Sequence, residues 1–329
     1  MGFGRLGRNV LRQILHREDV DVVAISDLGA PEALAYLLRF DTIYGRLDGI
    51  GLEGDRLTAG RQSARIVKGG HPETMPWGDL GVDVVVEATH AFRRRAELEG
   101  HLAAGARRVI LSTPPLDAID RILLYGVNHQ DLLPGDRLVS CGSSTTQVLA
   151  LMLKILDDAA GVEAAMKTTV HAYTSDQTLA DAAGDNLRLS RSAAENLIPN
   201  ASWSPGVVEM IIPALKGRVE GIAINVPVSN GSNLDLAVQL RRPLTAEEIN
   251  RIVADAAAGP YARWLECSTE PLVSRDVIGN PRSGVFDALA TLALPTGLAK
   301  TVTWYDNGWG YAARIVETID AMAAQGAVT

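Results

Sequence analysis

Gly2-Phe3-Gly4-Arg5-Leu6-Gly7 opens the chain behind Met1, and RNVLRQIL (8–15) follows with apolar residues at helical spacing. The pattern is G-x-G-x-x-G at the start of a helix. Its first glycine permits a tight turn, its second lets backbone approach a pyrophosphate, and its third lets helix pack on strand. The start of the helix offers N–H groups and a positive dipole end to phosphate. Asp27 ends the next apolar run, twenty residues beyond Gly7, the spacing at which an acid meets a ribose hydroxyl. Gly2, Gly4, Arg5, Leu6, Gly7 and Asp27 are therefore the candidate dinucleotide site; the bland alternative is a glycine turn beside a surface aspartate. The fingerprint also needs a strand before Gly2, where only Met1 stands. Without it, neighbouring strands would leave buried N–H and C=O groups unpaired. The expectation is an apolar strand ahead of residue 1 in the natural protein, the alternative a truncated protein that binds its cofactor poorly.

Working outward, VDVVAISD (20–27), GVDVVVEAT (81–89) and ARRVILSTP (106–114) are Val- and Ile-rich runs ended by turn residues, as in strands buried on both faces. EALAYLLRF and AELEGHLAAGA between them carry amphipathic helical spacing. Strand–helix–strand with buried strands predicts α/β architecture, a doubly wound parallel sheet. From about residue 145 a long helix, TTQVLALMLKILDDAAG, precedes the strands MKTTVHAY, GIAINVPV and LDLAVQL, which predicts a mixed α+β domain.

The chain has 329 residues, of which 47% are hydrophobic and 21% charged, with a net charge of −8. That composition excludes disorder, collagen and coiled coil. The acidic balance argues against nucleic acid as a partner, and no apolar run approaches the length of a membrane span. Cys141 and Cys267 alone do not make a disulfide framework, which points to a reducing cytoplasm. No metal-ligand spacing is present among the six histidines and two cysteines.

The chain resembles the glyceraldehyde-3-phosphate dehydrogenase family along its whole length. GFGRLGR (2–8), Ser26-Asp27-Leu28, Glu87-Ala88-Thr89-His90-Ala91-Phe92, TTVHAYTSDQ, EPLVSRDVIGNPRSG and the closing WYDNGWGYAARIV carry the likeness. The resemblance implies a Rossmann nicotinamide domain over 1–143 completed by a helix over 308–329, and a catalytic domain over 144–307. It implies NAD as cofactor, with Ser112 among its contacts, Asn307 on the nicotinamide amide and Tyr311 nearby. Asp27 would repel a 2′-phosphate, yet Ala182-Ala183 replaces the Leu-Pro of NAD-specific members, which admits NADP. A homotetramer is implied, with the polar stretch around 174–200 reaching neighbouring subunits.

The likeness breaks at the chemistry. The family uses a cysteine thiolate, opening the long helix, to attack its aldehyde. Ungapped alignment places Ser144 there, 27 residues before the acid–base His171. The alternative slides Ser140-Cys141 onto the family's Ser-Cys with three extra residues before the threonines; the plainer reading of Cys141 is a small buried hydrophobe. A serine hydroxyl is far less acidic than a thiol. Two arginines of the family's phosphate pockets are Asn225 and Leu189 here, which removes bidentate charged partners. Ser202-Trp203 stands where the family has Thr-Gly, and the indole is expected to fill the attacking-phosphate pocket. Thr145, Thr174 and Asp176 are retained as substrate contacts. The competing view has Arg188, Arg191 or Lys167 compensate, and His90, which replaces a glycine, reads as a bystander.

These residues predict an NAD-dependent oxidoreductase acting on a small aldehyde without the usual phosphate, by hydride transfer from the aldehyde hydrate or as the reverse reduction. Ser144 and His171 are its catalytic pair. A dinucleotide-binding paralogue without turnover would explain the lost cysteine and arginines through one cause. An ordinary enzyme using Cys141 is the further alternative, and a deliberate nucleophile mutant would explain Ser144 alone.

Overall fold

A computed structural model describes residues 1–174 and 177–326 of the chain, which forms two compact units. The first comprises Met1–Leu123, Gln130–Gly142 and the C-terminal residues from Ala312. It holds two four-stranded sheets. One has the order Ala24–Asp27, Gln62–Lys68, Arg56–Ala59, Ile50–Glu53, parallel only at its first pair. The other runs Val84–Glu87, Arg108–Leu111, Leu138–Ser140, Arg121–Ile122 and is parallel throughout. Each of the three strands read in the first third of the sequence is present, over four residues rather than eight or nine. Val20–Val23 falls outside its strand even though Val22 N reaches the Gln62 side chain and Arg65 N the Val23 carbonyl, because a ladder needs regular backbone partners and not single bonds.

The helix Arg5–Ile14 buries Val10, Leu11 and Ile14, the spacing that puts three side chains on one stripe. Inside the same unit a hydrogen-bonded chain crosses the core. The Trp77 indole donates to His101 Nδ1 (2.9 Å), whose Nε2–H faces Glu87 Oε2 (3.1 Å), and all three side chains are buried. Burial alone would raise the Glu87 carboxyl, but the bonds from His101 and Thr89 and the nearby Met1 ammonium hold it below its ordinary value.

The second unit comprises Leu124–His129 and Ser143–Tyr311. Leu124–His129 joins it through local bonds such as Tyr125 N to Gln147 Oε1 at 2.8 Å. Its sheet has the order Ile198–Ala201, Val219–Val226, Val162–Ala172, Ser232–Leu240, Leu298–Tyr305, Gly284–Asp287, Leu265–Ser268, with Leu292–Ala293 also on Leu298–Tyr305. Two pairings are parallel and the others antiparallel, the mixed sheet expected from the sequence. Ser232–Leu240 alternates buried and half-buried residues, with Leu234, Leu236, Val238 and Leu240 inward. The helix Ser144–Ala160 is buried along most of its length, so its apolar residues are not confined to one stripe. Ser143 caps it, its Oγ accepting from Thr146 N at 3.1 Å. Among the described residues no helix is long and apolar enough to cross a membrane.

Candidate active site

The dinucleotide residues Gly2, Gly4, Arg5, Leu6, Gly7, Asp27 and Ser112 all lie in the first unit, where loops follow the carboxyl ends of parallel strands, the usual ligand position in such sheets. The glycines are required by space. Gly2 has φ +87°, and a Cβ there would stand 2.6 Å from Ala88 C; at Gly7 it would stand 2.3 Å from Gly2 O. Gly4 is different, for a Cβ there would meet nothing within 4 Å. It is the N-cap of Arg5–Ile14 and has no side chain to cap the helix, so the helix start faces open space. The Asp27 carboxylate is fixed by Phe3 N on Oδ2 (2.7 Å) and Gly29 N on Oδ1 (2.8 Å), and each oxygen keeps a lone pair for a hydroxyl. Ser112 follows Leu111 at the end of its strand, its N–H bonded to Glu87 O, and its buried Oγ has no partner. An uncapped helix start, a held acid and an orphaned hydroxyl fit a dinucleotide.

His90 lies in the loop after Val84–Glu87 with φ 66°, the one described non-glycine residue in the left-handed region. Such backbone costs an L-residue roughly 1–2 kcal/mol, which is why glycine suits this position.

The second unit holds Ser144, Thr145, His171, Thr174, Ser202, Trp203, Asn225, Asn307 and Tyr311, whereas Asp176 lies outside the described residues. Ser144 is the first residue of its helix and is half-buried. His171 lies near the end of Val162–Ala172, and its Nδ1 sits 2.6 Å from Ala172 O. A carbonyl only accepts, so Nδ1 carries the proton and a neutral ring keeps its lone pair on Nε2. The ring meets Tyr305 edge-on at 6.3 Å between centroids. Tyr305 OH pairs with Thr145 Oγ1 at 2.7 Å, and burial pushes its phenol up. Ser232 Oγ accepts from Ala172 N (3.0 Å) and donates to Asn307 Oδ1 (3.1 Å). That bond leaves the Asn307 NH2 group as the free end of the amide. Thr145, His171 and Asn307 are thus linked through Tyr305 and Ser232, neither of which sequence reasoning singled out. Tyr305 was legible inside the WYDN motif; nothing in the sequence marked Ser232.

Asn225 pairs with His171 in register on the adjacent parallel strand. Its Nδ2 donates to Gln177 Oε1 (2.7 Å), which also accepts from Thr174 N (3.1 Å). Asn225 Oδ1 and Gln177 Nε2 are buried without partners. A neutral amide pair stands where the resemblance leads one to expect a guanidinium. The indole of Trp203 is 67% exposed at the N-cap of Ser204–Ile211, so the expectation that it fills a pocket is corrected: a helix cap at the surface turns the side chain outward. Arg191 is exposed and bonded to Asp181, and Arg188 is exposed.

Lys167, on the same strand as His171, is 2% exposed and donates to Thr169 Oγ1 (2.9 Å), Ser202 Oγ (2.5 Å) and Ile222 O (3.1 Å). Burial lowers its ammonium to about 8, against a smaller opposing pull from Glu220. The unfolded chain keeps this proton up to about pH 10.4. Between pH 8 and about 10.4 the unfolded state therefore binds more protons, and stability rises with pH there. Denaturant titrations of the wild type against Lys167→Met should diverge by on the order of 3 kcal/mol over that window, the wild type gaining; parallel curves would refute the buried ammonium.

Cys141 is fully buried in the first unit, outside the group around His171. Thr318 Oγ1 donates to Arg314 O (2.8 Å), so the Cys141 thiol, 3.2 Å away, donates to Thr318. Burial pushes this thiol up to about 12.

The C-terminal domain of glyceraldehyde 3-phosphate dehydrogenase matches residues 140–307, and the NAD binding domain of the same enzyme matches residues 1–95. The plasmid glyceraldehyde-3-phosphate dehydrogenase of Cupriavidus necator is 41% identical over 326 residues, 98% of this chain and 97% of that one. The Geobacillus stearothermophilus enzyme is 39% identical over 327 residues, 99% and 97% of the two chains. Glyceraldehyde-3-phosphate dehydrogenase 2 of Streptomyces avermitilis is 38% identical over 319 residues, 96% and 95%. Identity near two residues in five, held over almost the whole of both partners, goes well beyond a shared fold, and the chain belongs to the glyceraldehyde-3-phosphate dehydrogenase family of oxidoreductases, with NAD as its cofactor.

Proposed function

We propose that this chain oxidises a small aldehyde lacking the family's phosphate group, with Ser144 as a hydroxyl donor at the helix start and His171 as the acid–base residue. The observation that carries this reading is the contrast between the two candidate nucleophiles. Cys141 is fully buried with its thiol held protonated, whereas Ser144 opens a helix and is half-buried.

A serine hydroxyl with a helix dipole and a neutral imidazole yields little alkoxide, so Ser144 serves better as a donor to a developing oxyanion than as a nucleophile. The substrate then reacts as its hydrate. NAD, when bound, would supply the hydride acceptor for the hydrate carbon. His171 Nε2 takes the proton of one hydroxyl, the C–O bond becomes a carbonyl, and a carboxylic acid results. Asn307, its oxygen held by Ser232, presents NH2 donors to the nicotinamide amide, with Tyr311 beside it. Thr145, Thr174, Ser202 and the neutral Asn225–Gln177 pair suit hydroxyl groups, because a phosphate favours permanently charged bidentate partners. Asp176 completes the proposed substrate contacts. The same reading carries a homotetramer, with the segment around 174–200 reaching neighbouring subunits, a cytoplasmic location, and acceptance of NADP beside NAD through Ala182-Ala183. The neutral amide pair equally favours a second reading, an NAD-binding paralogue without turnover.

Cofactor-coupled turnover decides between them. D-glyceraldehyde 3-phosphate with inorganic phosphate is compared with unphosphorylated aldehydes, in the wild type, Ser144→Ala and Cys141→Ala. Turnover of unphosphorylated aldehydes alone, lost in Ser144→Ala and kept in Cys141→Ala, is the expected result. Phosphate-dependent turnover abolished by Cys141→Ala would overturn it, and tight NAD binding with no turnover would favour the paralogue. Iodoacetamide gives a separate check. With the thiol at about 12, roughly one Cys141 in ten thousand is thiolate at pH 8, so mass spectrometry of the native protein should find Cys141 unmodified.

A further inference from the structure

Lys167, Thr169 and His171 alternate along Val162–Ala172 and so lie on one face of that strand. Lys167 is in register with Gly221 on the adjacent parallel strand, where a Cβ would stand 2.7 Å from Lys167 Cγ. Glycine there leaves room for the lysine stem. At the end of the stem an ammonium has three N–H groups, and these go to Thr169 Oγ1, Ser202 Oγ and Ile222 O. Two hydroxyls and a carbonyl are all neutral partners. Burying an ammonium among neutral partners leaves its charge uncompensated, so an acceptor that brings negative charge near it is favoured.

Ser202 is where that charge meets open space. The residue is half-buried, whereas Lys167 and Thr169 are buried. Its Oγ accepts from Lys167 Nζ and, at 3.4 Å, from Ser204 N. With both lone pairs engaged, the hydroxyl is left to donate. Ser204 Oγ in turn accepts from Thr146 Oγ1 at 3.1 Å, and Thr146 stands in the first turn of the helix that Ser144 opens. The Ser202 proton is therefore offered close to that helix start. We infer that Lys167 is a positioning residue: through Ser202 it presents a charge-assisted O–H donor that selects an acceptor oxygen of the ligand, above all a carboxylate. This deepens the proposed reaction, whose product is a carboxylic acid, and rests on its reading of Ser202 as a substrate contact.

Few other charges bear on Lys167. Glu220, in register with Met166, exerts a minor pull. Asp235, on the strand to the other side, is paired with Lys300 at 2.8 Å. Glu209, on the helix after Ser202, accepts from Arg218 N and Val219 N. Because burial lowers the ammonium to about 8, it is charged at pH 7 and largely neutral by about pH 9.5.

The test titrates D-glycerate and its neutral amide, glyceramide, into the NAD-loaded protein by calorimetry at constant ionic strength. The two ligands share a shape and differ in charge. The wild type should prefer the carboxylate by about tenfold at pH 7 and lose most of that preference by about pH 9.5. Lys167→Met and Ser202→Ala should each bring the ratio near unity, and combining them should lower it no further. A lysine that only fills the core would leave the ratio unchanged in Lys167→Met, whatever the change in stability, and that result overturns the assignment. So would a preference that ignores pH, one that survives Ser202→Ala, or glycerate binding no tighter than glyceramide in the wild type. The wild-type pH series and Ser202→Ala decide the matter even if Lys167→Met fails to fold. Turnover of an unphosphorylated aldehyde is followed separately. Its absence beside an intact, Lys167-dependent preference would sink the proposed reaction alone, and turnover with an unchanged ratio would sink the role of Lys167 alone.

Discussion

His171→Asn should lower kcat for the proposed aldehyde oxidation by about 10²–10⁴-fold while leaving the NAD dissociation constant within about twofold. The split follows from where the residue sits. His171 belongs to the second unit, with Nδ1 committed to Ala172 O and Nε2 left as the only ring atom able to take a proton. Asparagine supplies an amide of similar reach but no base near neutral pH, so hydride loss is no longer accompanied by proton transfer. The glycine loop and Asp27, the proposed dinucleotide residues, are in the other unit and are untouched. Steady-state kinetics beside calorimetric titration with NAD separates the two terms. Equal losses in both would mean that His171 shapes the unit rather than the reaction, and unchanged kcat would remove it from the mechanism.

Glu317→Ala should cost about 3–5 kcal/mol of stability, the usual penalty for breaking a buried ion pair. Arg314 is 2% exposed, with Nη2 donating to Glu317 Oε1 at 3.0 Å and Nε 3.0 Å from Oε2. Both residues lie on the C-terminal helix within the first unit, and Arg314 O also accepts from Thr318, the partner of Cys141. Removing the carboxylate leaves a guanidinium that cannot lose its proton and cannot reach water without unpacking the helix. Urea unfolding followed by fluorescence measures the loss. The double variant Glu317→Ala, Arg314→Met should recover most of it, because both members of the buried ion pair are then removed together. A single-variant loss below about 1 kcal/mol would show that the pair is solvated in practice.

The glycine loop could be read directly because its chemistry is local. Gly2 and Gly7 are needed by backbone closure within a few residues, and Gly4 by an open helix start, so six consecutive residues announce the turn and its use. The candidate ribose acid, Asp27, was equally visible, since its distance along the chain is set by one helix and one strand. Ser232, Gln177 and Lys167 were not legible in that way. Each acts through a partner brought close by the sheet: Ser232 bridges Ala172 and Asn307, Gln177 meets Asn225, and Lys167 reaches Ser202 and Ile222. No spacing rule relates such residues, because sheet order in this unit departs from sequence order.

Trp203 shows the opposite error. Replacing a glycine with the largest side chain suggests a filled pocket, yet a helix cap turns that side chain to solvent. The sequence by itself determined the α/β dinucleotide unit, the mixed second sheet and the family, because hydrophobic period and short motifs are properties of neighbouring residues. Only the tertiary structure gave the burial of Ser144 and of Cys141, three residues apart in the chain. One opens a helix half-exposed, and the other lies under Thr318 with no path to water. Burial is decided by what packs against a side chain from far away in sequence, and in a thiol burial decides whether there is a nucleophile at all.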